Sequence, residues 1–218
     1  MKDISIFGTG VVGRTLGNKL IQLGHRVMMG SRTADNEKSA EWAEKNGRMA
    51  LCGTFGDAAE FSDLIINCTK GAITLEVFEL AGKDKLKGKT ILDLSNPLDF
   101  SNGMPPSLYP QWSNTYSLGE AIQDALPDSY VVKSLNMVNC EVMANAERCG
   151  GKATMLLCGN HEKSKSEVKA VLESFGWTKI IDLGDIKGAR GMEAMLPVWL
   201  RIWQATGNGH FAFDVVGI

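Results

Sequence analysis

Hydrophobic spacing changes back and forth between two periods along this chain. Asp3-Ile4-Ser5-Ile6-Phe7 is short, mostly apolar and β-branched, which predicts a strand. Val12, Leu16, Leu20 and Leu23 then recur at helical spacing as far as Gly24, predicting an amphipathic helix. The same alternation continues. Strands are expected at residues 25–30, 49–52, 64–68, 90–94 and 130–135. Helices are expected at 35–46, 72–81, 118–126 and 140–148, with a short one ending at Phe61. Thr54 and Ser117 are placed to cap two of them, and Gly47 to close a third in which Ala40 and Ala43 face inward beside Trp42. Residues 83–89 read as a solvated, lysine-rich turn. Residues 99–115 show no period and hold Pro105, Pro106 and Pro110 with Tyr109 and Trp112; a loop this long is usually functional, and it is expected to border a substrate cleft.

After a Gly150-Gly151 turn the pattern resumes with strands at 154–158 and 178–183. A helix at 163–175 sets Val168, Val171, Leu172 and Phe175 on one face. A long helix at 186–205 carries the stripe Ala189, Met192, Leu196, Trp199 and Trp203 and is kinked at Pro197; that stripe reads as core or a dimer face, with a wall for a planar second substrate as the alternative. Residues 211–216 suggest a last strand. Strands alternating with helices predict an α/β fold with a Rossmann-type, doubly wound, mainly parallel sheet. The expected division is a nucleotide-binding domain at 1–137 and a small C-terminal α/β domain at 138–218 for substrate and dimerisation.

The junction of the first strand and helix is Gly8-Thr9-Gly10-Val11-Val12-Gly13. A G-x-G-x-x-G between a strand and a helix is the dinucleotide-binding arrangement. Gly8 allows the tight turn, Gly10 lets a pyrophosphate approach the backbone, and Gly13 lets the helix lie against the strand. The free N–H groups at the helix start favour an anion. At the end of the second strand, where NAD-binding units place an acid about 20 residues after the glycines, this chain has Gly30-Ser31-Arg32-Thr33. An acid there would repel a 2′-phosphate; Arg32 would fork onto one, with Ser31 and Thr33 as further donors. NADP(H) is therefore expected over NAD. Ligands of open α/β sheets lie beyond the carboxyl ends of the strands, which singles out Thr69, Lys70, Ser95, Asn96 and Pro97 as cofactor neighbours.

Composition narrows the picture. The 218 residues are 44% hydrophobic and 22% charged with a net charge of −2, which favours neither a nucleic-acid nor a membrane surface. No apolar run approaches the roughly 18 residues of a membrane span. The five cysteines form no C-x-x-C pair and read as reduced thiols of a cytoplasmic protein. No metal site is expected.

The glycine motif, Leu23-Gly24-His25 with Gly30-Ser31-Arg32, Asn96-Pro97-Leu98, Lys133-Ser134-Leu135-Asn136, and Asp182-Leu183-Gly184-Asp185 with Arg190-Gly191-Met192-Glu193 together resemble the NADP-dependent oxidoreductases that work with the deazaflavin coenzyme F420. The resemblance runs over nearly the whole chain. It implies hydride exchange between NADP(H) and coenzyme F420 or a related flavin-like acceptor, a homodimer, and a C-terminal domain completing the second-substrate cleft. By that resemblance Thr9, Ser31, Arg32 and Lys70 line the NADP site, Ser95, Asn96 and Pro97 lie nearer the nicotinamide, and Asn136 and Met137 face the second substrate.

The residues themselves offer no Ser/His/Asp, Cys/His or paired-carboxylate set, which suits a cofactor-to-cofactor reaction better than reduction of a carbonyl needing a placed acid. No catalytic acid or base is assigned. Reduction of a small imine or carbonyl, or of a ferric or flavin acceptor, and a non-catalytic NADP-binding sensor remain the alternatives.

Overall fold

The computed structural model describes residues 1–217. In chain order its elements are β1 (Asp3–Phe7), α1 (Val11–Gln22), β2 (Arg26–Ser31), α2 (Glu37–Asn46), β3 (Ala50–Thr54), α3 (Phe55–Phe61), β4 (Leu64–Asn67), α4 (Thr74–Ala81), α5 (Lys83–Leu86) and β5 (Thr90–Asp93). They continue with β6 (Leu98–Asp99), β7 (Ser107–Leu108), α6 (Leu118–Ala125), β8 (Tyr130–Ser134), α7 (Cys140–Ala144), β9 (Thr154–Gly159), α8 (Glu162–Ser174), β10 (Lys179–Asp182), α9 (Ala189–Ala194) and α10 (Leu196–Thr206).

One eight-stranded sheet runs β10-β9-β8-β5-β4-β1-β2-β3. Its six strands from β3 to β8 are parallel, β9 pairs antiparallel with β8, and β10 is parallel to β9. The fold is the expected Rossmann-type α/β arrangement. The sheet is continuous across residue 137, because β8 bonds directly to β9. Strand alternation sends side chains to two faces. Ile4 and Ile6 join Leu16, Leu20 and Trp42 on one face, while Phe7 joins Phe55, Ile65 and Phe78 on the other. Ser5, on the second face, is fully buried and donates to the Ala58 carbonyl at 2.6 Å. No helix among the described residues is long and apolar enough to cross a membrane.

Several local expectations change. In α2 it is Ser39 and Trp42 that are buried while Ala40 is exposed; Ser39 reaches back to Asn36 at the N-cap, so a hydroxyl fills the inward position. Residues 83–89 contain α5, whose Leu86 is buried, and Lys89 donates to the carbonyls of Ala59 and Ser62. The 99–115 segment includes the β6–β7 ribbon. Helix 140–148 stops at Ala144, because Asn145 turns extended (φ −157°) and caps a separate short turn. The long helix expected at 186–205 is α9 and α10 joined at Met195, with Pro197 in the first turn of α10, where its missing N–H costs nothing. Of the stripe read as core or a dimer face, Trp199 is buried and Trp203 is 42% exposed. Residues 211–216 form no ladder; they touch β9 through single bonds, such as Thr154 N–H to the Phe213 carbonyl at 3.1 Å.

Candidate functional site

The carboxyl ends of β2, β1, β4, β5 and β8 stand side by side, and the site is built on them. At the β1–α1 turn Gly8 has a φ of +113°. A Cβ on Gly13 would lie 2.2 Å from the Gly8 carbonyl oxygen, so only glycine lets α1 pack this closely, whereas a Cβ on Gly10 would meet nothing within 4 Å. Gly10 is the N-cap of α1; no side chain caps it and the first turn holds no acid. Its leading N–H groups are left for a ligand. Thr9 is half-buried, Val11 is exposed and Val12 lines the neighbouring cleft.

At the end of β2, Ser31 is buried and its hydroxyl donates to the Thr33 carbonyl. It shapes the loop rather than offering a free donor. Arg32 and Thr33 are exposed beside it, and Arg32 forms no ion pair among the described residues.

A cleft of 840 Å³ opens over the ends of β4, β5 and β8. Of the residues singled out in sequence it gathers Val12, Thr69, Lys70, Ser95, Asn96 and Asn136. Pro97 is buried and does not line it. Met137 is not a ligand wall either: it is 2% exposed and packs in the core cluster of Phe7 and Met192. The walls are completed by Leu94, Leu98, Phe100, Tyr109, Val138, Met143, Leu196 and Leu200. Two signals pointed to some of them: the aperiodic stretch that holds Phe100 and Tyr109, and the helical stripe that holds Leu196. A more polar hollow of 730 Å³, lined by Lys2, Asp3, Arg26 and Glu60, lies at the amino end of the sheet, away from the glycine turn.

The floor of the cleft is tightly tied. Asn96 Nδ2 donates to the Asn136 carbonyl and Asn136 Nδ2 to Asn96 Oδ1, both at 2.9 Å. Leu135 takes a left-handed backbone (φ 61°) to turn the chain there, a strained conformation of the kind that collects at functional sites. Thr69 Oγ1 donates to Asn67 Oδ1 at 2.7 Å.

Beneath this floor is a buried ion network that no sequence pattern announced. Lys133, fully buried at the end of β8, contacts Asp93 Oδ2 and Glu193 Oε1, each at 2.8 Å, and the Ser95 carbonyl. Asp93 Oδ1 accepts from Asn67 Nδ2 and from the Ser95 hydroxyl. Glu193 also accepts the N–H groups of Leu118 and Gly119 at the start of α6. Burial pulls the Lys133 ammonium down, but Asp93 and Glu193 outweigh it and hold the group above the usual lysine range. The network fixes the β5 loop carrying Ser95 and Asn96.

Lys70 and Asp99 are the charged side chains of the cleft lining. Burial pushes the Cys68 thiol far above its ordinary range and keeps it protonated. The walls are apolar and the polar groups few, which suits flat ring systems held in place rather than acid–base work on an alcohol. The uncapped start of α1, the space beside Gly10 and the free Arg32 guanidinium fit a nucleotide carrying a 2′-phosphate.

Residues 3–97 match the family described as NADP oxidoreductase, coenzyme F420-dependent. The chain is 27% identical over 221 residues to the F420-dependent NADP reductase of Methanocaldococcus jannaschii, covering 96% of each. It superimposes on a crystal structure from Arthrobacter sp. FB24, a candidate F420-dependent NADP-reductase, with a TM-score of 0.93 and 40% identity over all of both chains. It is also 27% identical over 202 residues to the metalloreductase STEAP3 of Rattus norvegicus, of which it covers 37%.

Proposed function

The chain belongs to the coenzyme F420-dependent NADP oxidoreductase family, and we propose that it passes a hydride between NADP(H) and coenzyme F420 or a related flavin-like ring. The observation that carries this reading is the junction of two features: a glycine turn and Arg32 suited to NADP, opening onto an apolar cleft whose charged groups are Lys70 and Asp99. NADP(H), when bound, would donate or accept the hydride at its nicotinamide ring. The protein's share is to align two rings and exclude water. Gly8, Thr9, Gly10 and Val11 would hold the pyrophosphate, Arg32 and Thr33 the 2′-phosphate, and Thr69, Lys70, Ser95 and Asn96 the path toward the nicotinamide. Leu98, Phe100, Tyr109, Leu196 and Leu200 would sandwich the second ring.

Anaerobic stopped-flow mixing of NADPH with F420, FMN, FAD and ferric chelates tests the reading. Rapid turnover with F420 or a flavin, and slow turnover with ferric chelates, is expected; NADPH bound but oxidised by none of them would overturn it. Arg32→Ala should raise the Kd for NADPH by about 30-fold, the worth of a charge-assisted contact, and leave NADH nearly unchanged. Equal effects on both nucleotides in fluorescence titration would remove the 2′-phosphate from Arg32.

We further propose a homodimer in the cytoplasm. The exposed Val198 and Trp203 of α10 offer an apolar contact, and the cysteines are free thiols. Sedimentation as a single species near 23.6 kDa at micromolar concentration would count against the dimer.

A further inference from the structure

Asn136 carries the one buried side-chain polar atom, among the described residues, that has no hydrogen-bond partner: its Oδ1. A buried acceptor left unpaired is costly, and such atoms are rare enough to require a cause. The orientation of this amide is settled by its surroundings. Nδ2 donates to Asn96 Oδ1 at 2.9 Å and to the Met192 carbonyl at 3.1 Å. Turning the amide over would set Oδ1 against two acceptors. Asn96 cannot turn to compensate, because its own Nδ2 is spent on the Asn136 carbonyl. Oδ1 is thus a fixed acceptor. It belongs to a residue that lines the cleft and is 2% exposed, set there by the strained Leu135 turn.

We propose that Asn136 Oδ1 accepts a hydrogen bond from the primary amide of the nicotinamide ring, making Asn136 the residue that reads the carboxamide. This rests on the NADP(H) reading above. The carboxamide offers N–H donors in both the oxidised and the reduced nucleotide, so one fixed acceptor can hold the ring throughout turnover. The contact ties the ring to α9 as well as to the sheet, because the same asparagine is bonded to the Met192 carbonyl, and the apolar wall of Leu196 and Leu200 follows on α10. Asn136 is a positioning residue in this account: it sets the rotation of the ring about its glycosidic bond and so the face presented to the acceptor.

The test compares binding of three oxidised nucleotides by calorimetric titration: NADP⁺, its thionicotinamide analogue, which keeps the amide NH₂, and its 3-acetylpyridine analogue, which replaces that NH₂ by a methyl group. The wild-type protein should bind the first two alike and the third about tenfold more weakly. Asn136→Ala and Asn136→Leu should weaken the first two to the level of the third, so that the gap closes. Equal binding of all three by the wild type overturns the proposal whatever the variants do, and so does a gap that persists in a folded variant. No binding of NADP⁺ itself would instead bring down the nucleotide reading, and this contact with it.

Discussion

Gly10→Val is expected to weaken NADPH binding by about 100-fold or more while costing only about 1 kcal/mol of stability, and Gly13→Ala to do the reverse. The two glycines are three residues apart in one motif, yet their surroundings differ in kind. A Cβ at Gly10 meets no protein atom within 4 Å, and its backbone is extended, with φ −74° and ψ −176°, which valine adopts without strain. Its side chain would fill only the space over the start of α1, where a pyrophosphate would lie. The small stability loss comes from placing valine at an N-cap. At Gly13 the added Cβ would be 2.2 Å from the Gly8 carbonyl oxygen and 3.1 Å from Ile6 Cγ2. Neither the turn nor the β1 core can yield without moving α1 off the sheet, so Gly13→Ala should cost about 3 kcal/mol. Urea midpoints paired with nucleotide titrations separate the two outcomes. A destabilised Gly10→Val, or a stable Gly13→Ala with intact affinity, would mean that the roles drawn for the two glycines are wrong.

That contrast marks what the chain discloses by itself. Local order is written in apolar period: β1, α1 and β2 are readable because Ile4, Ile6, Leu16, Leu20, Val27 and Met29 all bury toward one face. The glycine motif is readable because its chemistry is a backbone requirement. Contacts between distant residues leave no such period. Asn96 and Asn136 are 40 positions apart; each is marked singly, but their pairing appears only once β5 and β8 become neighbours. Met137 sits next to Asn136, and the resemblance implies the same cleft for both, but the turn at Leu135 sends successive side chains to different environments. Trp203 fits the helical stripe of Trp199, yet α10 begins afresh at Leu196 and leaves that turn outside the core. Local pattern announces β9 as a strand but not its direction: parallel or antiparallel pairing depends on where the preceding segment, 138–153, carries the chain.

Lys133 is the residue whose role was least visible, and its loss should be the most damaging to the fold. In sequence it interrupts an apolar strand, Tyr130-Val131-Val132-Lys133-Ser134, where a lysine would be expected at the surface. In the structure it is the cation between two fully enclosed carboxylates, Asp93 and Glu193. Lys133→Met would leave both facing each other without a counter-charge, and a broken buried ion group typically costs about 3–5 kcal/mol. Glu193→Gln should cost less, because Lys133 and Asp93 remain a balanced pair, although the amide cannot accept from both Leu118 and Gly119 as the carboxylate does. The order of the two urea midpoints is the check: a glutamine variant as unstable as the methionine variant would place the strain in the α6 start rather than in charge balance. The pH dependence follows from the direction of the lysine shift. Its folded pKa is raised above the unfolded value of about 10.4 by Asp93 and Glu193 against burial. The stability it contributes is therefore complete below that unfolded value and is lost only as pH rises through the folded one. The gap between wild type and Lys133→Met should accordingly not narrow between about pH 7 and about pH 10, and should narrow only in stronger alkali. A gap already closing near pH 8 would mean that the ammonium is not held by the two carboxylates.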